Sequence, residues 1–227
     1  QITDAYTSGA IVRGSTLRAI GDGLSYTRAH RPILAIVSLV VVVQVVGMPV
    51  ATPLGPMFFI DVLGFNSAQV GLMGATWGLG AFTATIVLAR ASHLALRGGS
   101  LATVAVFFGL AMIGFGYSRF VPLTAVMDYG MGFAFTGTSL VASTLIQHLV
   151  SDEMRGRVLS FFPLSTGIAQ AATAVAGVAG QQVGLGTLIP VLGWIMLALA
   201  VLLVLRYRAY LSSRVESRIA PATGRAP

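Results

Sequence analysis

The stretch ILAIVSLVVVVQVVGMPVATPL, residues 33–54, decides the fold class because it runs for 22 residues without a charged side chain. The hydrocarbon core of a bilayer is about 30 Å thick, and a helix needs about 20 mostly apolar residues to cross it. A backbone in lipid must satisfy its own hydrogen bonds, which a helix does within one segment. The stretch therefore predicts a membrane-spanning α-helix.

Similar apolar runs recur along the rest of the chain, which is 56% hydrophobic and charged at only 9% of its residues. Barrel strands need only about ten alternating residues, so runs of this length favour helices. Five further spans are predicted at residues 68–89, 101–117, 122–149, 158–180 and 185–205. We thus expect an all-α, polytopic membrane protein with six transmembrane helices.

The predicted spans divide the chain into three parts. Residues 1–31 form a cytoplasmic linker and interfacial segment. The stretch GDGLSYTRAHRP, residues 21–32, suits a short amphipathic segment along the membrane interface, and the alternative is a solvated linker. Residues 32–205 form the six-helix domain, and residues 206–227 form a basic tail whose end we expect to be disordered. Because the chain begins with Gln1, we also expect it to be a fragment or a processed chain.

All 14 basic residues are arginines, and their positions predict the orientation of the spans. When the loops are assigned alternately to two sides, every arginine except Arg119 falls on the same side. The positive-inside rule makes that side cytoplasmic. Both termini then lie on the cytoplasmic side of a cell membrane. The net charge of +7 comes from arginines that lie between the predicted spans and do not line one face. It is therefore interpreted as a topological signal, and a nucleic-acid partner is not expected.

Several kinds of catalytic and metal site are excluded by the residues that the sequence lacks. The chain has no cysteine, which removes thiolate metal ligands and cysteine nucleophiles. Ser139 and His148 lie nine residues apart on one predicted helix, so they cannot meet as nucleophile and base. No phosphate-binding loop is present. We therefore expect no enzyme, no metal and no cofactor.

Polar residues inside the predicted spans mark a candidate pathway, since such residues usually face a bundle interior or a cavity. The third and sixth spans carry almost none and are predicted to face lipid. The other four are predicted to line a shared cavity. Their symmetric placement favours a 3+3 inverted repeat with its ligand site near the midplane. The candidate residues for contact with substrate or proton are Gln44, Trp77, Asp128, Thr136 and Gln170.

Asp128 is the one acid inside a predicted span. It lies six residues beyond Pro122, which places it roughly 9 Å below the outer surface at 1.5 Å per residue. Burial disfavours the charged form of a carboxyl group. Asp128 is therefore a candidate proton carrier. The alternative is an outer-leaflet acid that only hydrogen-bonds a neighbouring helix.

Small residues four apart in the second and fifth spans predict close helix packing. The pairs are Gly74 with Gly78 and Gly167 with Ala171. Their alternative use is a sliding contact in a moving transporter.

Three prolines, Pro49, Pro53 and Pro56, cluster near the outer end of the first span. Each removes a backbone donor from the helix. A kink or a break in the helix is predicted there.

The stretch SDEMRGRVLS, residues 151–160, holds four charged side chains within six positions, namely Asp152, Glu153, Arg155 and Arg157. Ser151 or Asp152 suits the start of a new helix turn. The arginines are expected to pair with acids or with the last turn of a neighbouring helix.

The longer run LIQHLVSDEMRGRVLSFFPL, residues 145–164, resembles the loop between the tenth and eleventh helices of major facilitator superfamily transporters. The likeness is strongest to the enterobactin-exporter-like branch called transmembrane secretion effectors. DGLSYTRAHRPILAI, residues 22–36, looks like the approach to that branch's seventh helix. FFIDVLGFNSAQVGLMGATWGLGA, residues 58–81, is similar to its seventh-to-eighth connection.

The resemblance implies the C-terminal six-helix half of a proton-coupled efflux permease for small amphipathic molecules, working by alternating access. The partner would be a missing N-terminal half or a second copy. Asp152, Glu153, Arg155 and Arg157 would form a cytoplasmic charge network that latches the outward-facing state. Ser92 departs from the family, which often has an acid in that loop. The alternative function is a non-transporting membrane scaffold or assembly subunit.

Overall fold

A computed structural model describes residues 16–211, which are helical throughout apart from short connections and contain no strand. The amino-terminal 15 residues and residues 212–227 lie outside this range, and so does most of the predicted tail. The helices are α1 Thr16–Ala29, α2 Arg31–Pro49, α3 Gly55–Asp61, α4 Ser67–Arg90, α5 Ser92–Ala95, α6 Gly98–Tyr117, α7 Val121–Leu149, α8 Asp152–Leu159, α9 Phe161–Val183 and α10 Leu185–Leu211. A π-helical turn, Val50–Leu54, joins α2 to α3.

Five helical segments within residues 16–211 are long and apolar enough to cross a membrane. The segments are Arg31–Asp61, Ser67–Arg90, Gly98–Tyr117, Asp152–Val183 and Leu185–Leu211. They confirm the all-α class and are compatible with a multi-pass membrane protein, but they give five candidate spans where the sequence predicted six. The difference is α7, which has 29 residues but carries an acid and a series of hydroxyl groups that lower its hydropathy.

The long helices form two layers. In the first layer α4 packs against α7, α7 against α2, and α2 against α9. In the second layer α6 packs on α7 and α10 packs on α2, while α6 and α10 contact each other closely. The core lies between the layers and contains the fully buried side chains of Leu39, Phe108, Phe115, Met131 and Met196.

The third predicted span, α6, was expected to face lipid, but it is one of the two most buried candidate spans. Half of its most apolar stretch is buried inside the protein, compared with 11% for α4 and 17% for the segment formed by α8 and α9. Its other face exposes Phe107 and Leu110, so the helix packs into the core on one side and leaves the other side open. A protein core and a lipid tail are equally apolar, so hydropathy does not distinguish the two sides. In α10, the sixth predicted span, a third of the most apolar stretch is buried.

The helices α4 and α7 approach most closely at Gly80 and Gly132. A Cβ atom on Gly80 would overlap the Tyr129 carbonyl oxygen, and one on Gly132 would overlap the Trp77 carbonyl oxygen. The two backbones therefore cross in direct contact, as small residues permit.

The four-residue spacings chosen from the sequence lie elsewhere. Nothing lies within 4 Å of a Cβ placed on Gly74, Gly78 or Gly167, and Ala171 is exposed. Close packing at these positions is therefore not found in the described chain. Small residues do mediate close helix packing, but they are Gly80 and Gly132 and not the pairs with four-residue spacing.

The predicted break in the first span is confirmed as the π-helical turn Val50–Leu54, which follows Pro49 and contains Pro53. Prolines and π turns are the usual causes of local helix distortion. Beyond the turn, α3 contacts α4, which starts after a capping box between Asn66 and Gln69.

Arg119 fixes the position of α3 at the same end of the bundle. Its guanidinium donates hydrogen bonds to the carbonyl oxygens of Gly116 and Ser118, both at 2.9 Å, and lies 5.5 Å from the centroid of the Phe58 ring. The neighbouring Phe59 contacts the Phe115 ring edge-on at 5.5 Å between centroids. These contacts join α3 to the end of α6.

Candidate functional site

Asp128 is buried in the interface between α7 and α4, with 6% of its surface exposed. The Thr76 hydroxyl oxygen of α4 lies 2.5 Å from Asp128 Oδ2 and 2.7 Å from the Met73 carbonyl oxygen. The alternative from the sequence, an acid hydrogen-bonded to a neighbouring helix, thus describes its contacts correctly.

A cavity of about 150 Å³ opens beside the carboxyl group. Its first wall comes from the broken span, its second from α4, and Asp128 closes it from α7. The lining residues are Val50, Ala51, Gly55, Pro56, Phe59, Val70, Gly74, Trp77 and Asp128. Cavities of this size hold a group as large as benzene. None of these nine residues is basic, so Asp128 is the only formal charge in the lining that the structure describes.

The structure brings Asp128 and Trp77 together but not the other three candidate residues. The Trp77 ring lies against the Phe135 ring, with 5.8 Å between centroids, and its α4 neighbours line the cavity. Thr136 is half-buried two turns further along α7, roughly 12 Å from Asp128 along the helix axis, and is not among the lining residues.

The two amides are also separate from this cavity. The Oε1 atom of Gln44 is buried in the middle of α2 and has no hydrogen-bond partner among the described residues. Gln170 is exposed on α9. Its neighbours Ser165, Ala169 and Ala176 occupy the buried face of that helix. In the described chain, α9 therefore contributes no residue to the cavity beside Asp128.

Sequence reasoning missed Thr76 as a site residue, although its position beside Trp77 on the predicted second span was visible. It also missed the wall formed by Ala51, Pro56 and Phe59. The signal for this wall was the proline cluster, which predicted the break but not the direction in which α3 would turn.

The charge network at the other end of the bundle forms in part. Arg155 Nη2 lies 2.7 Å from Asp152 Oδ1 and donates a hydrogen bond of 3.1 Å to the Gln147 carbonyl oxygen in the last turn of α7. Arg155 thus pairs with an acid and with a helix end, as the sequence predicted. Asp152 is highly exposed, and an ion pair in such a position contributes about 0 to 1 kcal/mol.

The remaining members of the network lie around α8. Ser151 occupies the position before α8 but makes no capping hydrogen bond through its side chain. Glu153 stands exposed in the first turn, and Arg157 Nη1 lies 3.8 Å from Met154 Sδ. Gly23 of α1 packs against the Arg157 backbone, which places the amino-terminal helix over this segment.

No protein-family model matches the chain, and no curated protein or solved structure matches it. Among residues 16–211, no group of three His, Asp or Glu side chains is placed to hold a metal ion. The interpretation of the site therefore depends on its own geometry.

Proposed function

We propose that this chain is the C-terminal half of a proton-coupled efflux transporter for small amphipathic molecules, working by alternating access. The observation that carries the proposal is the contact of Asp128 with Thr76 and, through it, with the Met73 carbonyl oxygen. The chemistry of this relay suits a group that gains and loses a proton.

A hydroxyl group has one proton to donate, so Thr76 has two possible arrangements. When Asp128 is ionised, Thr76 donates its proton to the carboxylate. When Asp128 is protonated, the acid donates to the Thr76 oxygen, and Thr76 donates to the Met73 carbonyl. Both states of the acid are therefore satisfied without any movement of the backbone, which favours a proton carrier over a purely structural acid.

The cavity beside Asp128 supports the choice of substrate class. A carboxylate next to the aromatic side chains of Trp77 and Phe59 suits a lipophilic cation, because aromatic faces and carboxylates both attract positive charge. Proton and cation would then compete for one acid. This competition links export of the cation to entry of the proton.

The helix pairing supports the six-span, 3+3 architecture. Exchanging α2, α4 and α6 with α7, α9 and α10 converts the contact of α4 with α7 into that of α9 with α2. The same exchange converts the contact of α6 with α7 into that of α10 with α2. In this arrangement α7 is the fourth span, and it packs against α2, α4 and α6 with its polar residues Thr124, Asp128 and Thr138 buried.

Single-cysteine labelling tests this topology, since the chain has no native cysteine. With six spans and both termini cytoplasmic, cysteines at Ser67 and Gln182 are expected to react with an impermeant maleimide from outside intact cells. Cysteines at Ser92 and Ser151 are expected to react only after the cells are opened. Labelling of Ser151→Cys from outside would show that α7 does not cross the membrane.

The transport activity itself is tested with ethidium, a lipophilic cation, as the probe. Inverted membrane vesicles from cells that express the gene in its native context are expected to take up ethidium when their interior is acidified. Nigericin, which collapses the pH gradient, should stop the uptake. Vesicles that show no difference from those lacking the protein would argue against the transporter.

One observation fits a non-transporting scaffold as well as it fits the transporter. Large apolar side chains stand exposed on α4 and α9, among them Leu72, Phe82 and Val175. Such faces suit assembly with another membrane protein as well as with a second half of a permease. A protein that binds a partner but shows no gradient-driven ethidium uptake would fit this alternative.

A further inference from the structure

A second cleft, of about 320 Å³, lies at the end of the bundle opposite Asp128. It is bounded by the last turns of α4, by α5 and by the last turns of α7. Its apolar walls include Leu88 and Ala89 from α4, Ala95 and Leu96 from the α5 region, and Leu140 from α7. Nothing in the proposed transport cycle uses this cleft.

The interior of the cleft is less polar than its residue types suggest. Thr85 donates its hydroxyl proton to the Ala81 carbonyl oxygen at 3.1 Å, and Thr144 donates to the Leu140 carbonyl oxygen at 2.9 Å. Both threonines therefore satisfy their hydroxyl groups within their own helices. The cleft volume is near the lower end of the range for ligand pockets, about 300 to 1,000 Å³. It suits part of an acyl chain.

The mouth of the cleft is basic. Exposed Arg90 follows the lining residue Ala89 and ends α4, and exposed His148 lines the cleft from the last turn of α7. Exposed His93 lies in α5, next to the lining residue Ser92 in the chain. The sequence has no acid between Asp61 and Asp128, so α4, α5 and α6 bring no negative charge to this mouth.

Two further residues define the charge at this end. Ser92, the position where the resembled family often has an acid, lines the cleft as a neutral side chain. The nearest acids after α7 are Asp152 and Glu153, and Asp152 is already paired with Arg155. An anion at the mouth would therefore meet Arg90 and His148 without a competing carboxylate from the cleft lining.

We propose that this cleft binds an anionic phospholipid of the cytoplasmic leaflet. One acyl chain lies between α4 and α7, and the headgroup phosphate contacts Arg90 and His148. Basic pockets between helices at the cytoplasmic face are known as sites of this chemistry. The inference goes beyond transport and depends on the proposed function only for placing this end of the bundle at the cytoplasmic face.

Native mass spectrometry of the full, delipidated chain in detergent tests the proposal. The probes are phosphatidylglycerol and phosphatidylcholine with identical acyl chains, supplied in equal amounts. The chain is expected to retain phosphatidylglycerol preferentially, and Arg90→Gln is expected to weaken that retention about fivefold. Arg206→Gln, an exposed arginine of α10 at the same end, serves as the matched control and should retain the lipid.

Three outcomes would overturn the proposal. The first is equal retention of the two lipids, and the second is an equal loss in both arginine variants. The third is displacement of phosphatidylglycerol by inorganic phosphate, which would indicate a site for a soluble anion. Leu140→Trp, which fills the cleft, should also release the lipid, provided that its unfolding temperature is unchanged. If that variant unfolds, the pair of arginine variants decides. Since this readout measures lipid and not transport, its failure leaves the ethidium result unaffected.

Discussion

Asp128→Asn is expected to reduce pH-gradient-driven ethidium uptake into inverted vesicles to the level of vesicles without the protein. The amide has nearly the same shape as the acid and still accepts a hydrogen bond from Thr76, but it cannot release a proton. The loss should therefore affect energy coupling and leave the fold intact. Downhill movement of ethidium, measured without a pH gradient, is expected to persist.

Asp61→Asn is the matched control for this variant. Asp61 lies exposed at the end of α3, at the same end of the bundle, but it does not line the cavity. Its replacement removes an acid of the same type and should leave uptake unchanged. Gradient-driven uptake that survives in Asp128→Asn would remove this acid from the mechanism. Thr76→Val, which breaks the proton relay but keeps the carboxyl group, is expected to slow coupled uptake without abolishing it.

Gly80→Ala is expected to cost about 3 kcal/mol in free energy of unfolding, because the new methyl group would overlap the Tyr129 carbonyl oxygen. The obstruction is backbone, which does not rotate away as a side chain would. The helices α4 and α7 must therefore separate, and the contact between Thr76 and Asp128 lies in the same interface. The measurement is reversible unfolding of the purified chain in mixed detergent and SDS micelles.

Gly78→Ala provides the comparison two residues away on the same helix. Open space surrounds its Cβ position, so the substitution should be neutral or stabilising by about 0.5 to 1 kcal/mol through helix propensity alone. Equal effects of the two variants would show that the backbones of α4 and α7 do not touch at Gly80.

The helices themselves were predictable from the sequence because hydropathy and proline content are local properties. The run at residues 33–54 identified a span, and Pro49 and Pro53 located its π turn correctly. Contacts between helices depend on which face each helix turns to its neighbour, and the sequence does not specify that face. α4 carries glycines on several faces, so the choice of Gly74 and Gly78 over Gly80 had no local basis.

The residues of the candidate site were also predictable only where a local property of the sequence marked them. Asp128 was identifiable because an acid in an apolar run is rare, and Trp77 because it is one of the few side chains with a polar group in the second predicted span. Gln170 was equally conspicuous, but the packing of α9 on α2 leaves it exposed in the described chain. Hydropathy also could not show that α6 packs into the core on one face, since burial in protein and burial in lipid require the same residues.

The π-helical turn at Val50–Leu54 determines where Pro56 and Phe59 stand in the wall of the cavity beside Asp128. A π turn is equivalent to one surplus residue in an otherwise regular helix, and each residue rotates the remainder of the helix by about 100°. Deleting a single residue such as Ala51 would restore uninterrupted α-helical winding and swing Phe59 round the axis, away from Asp128. The position of the pocket wall thus depends on the rotation that this single turn introduces into the helix.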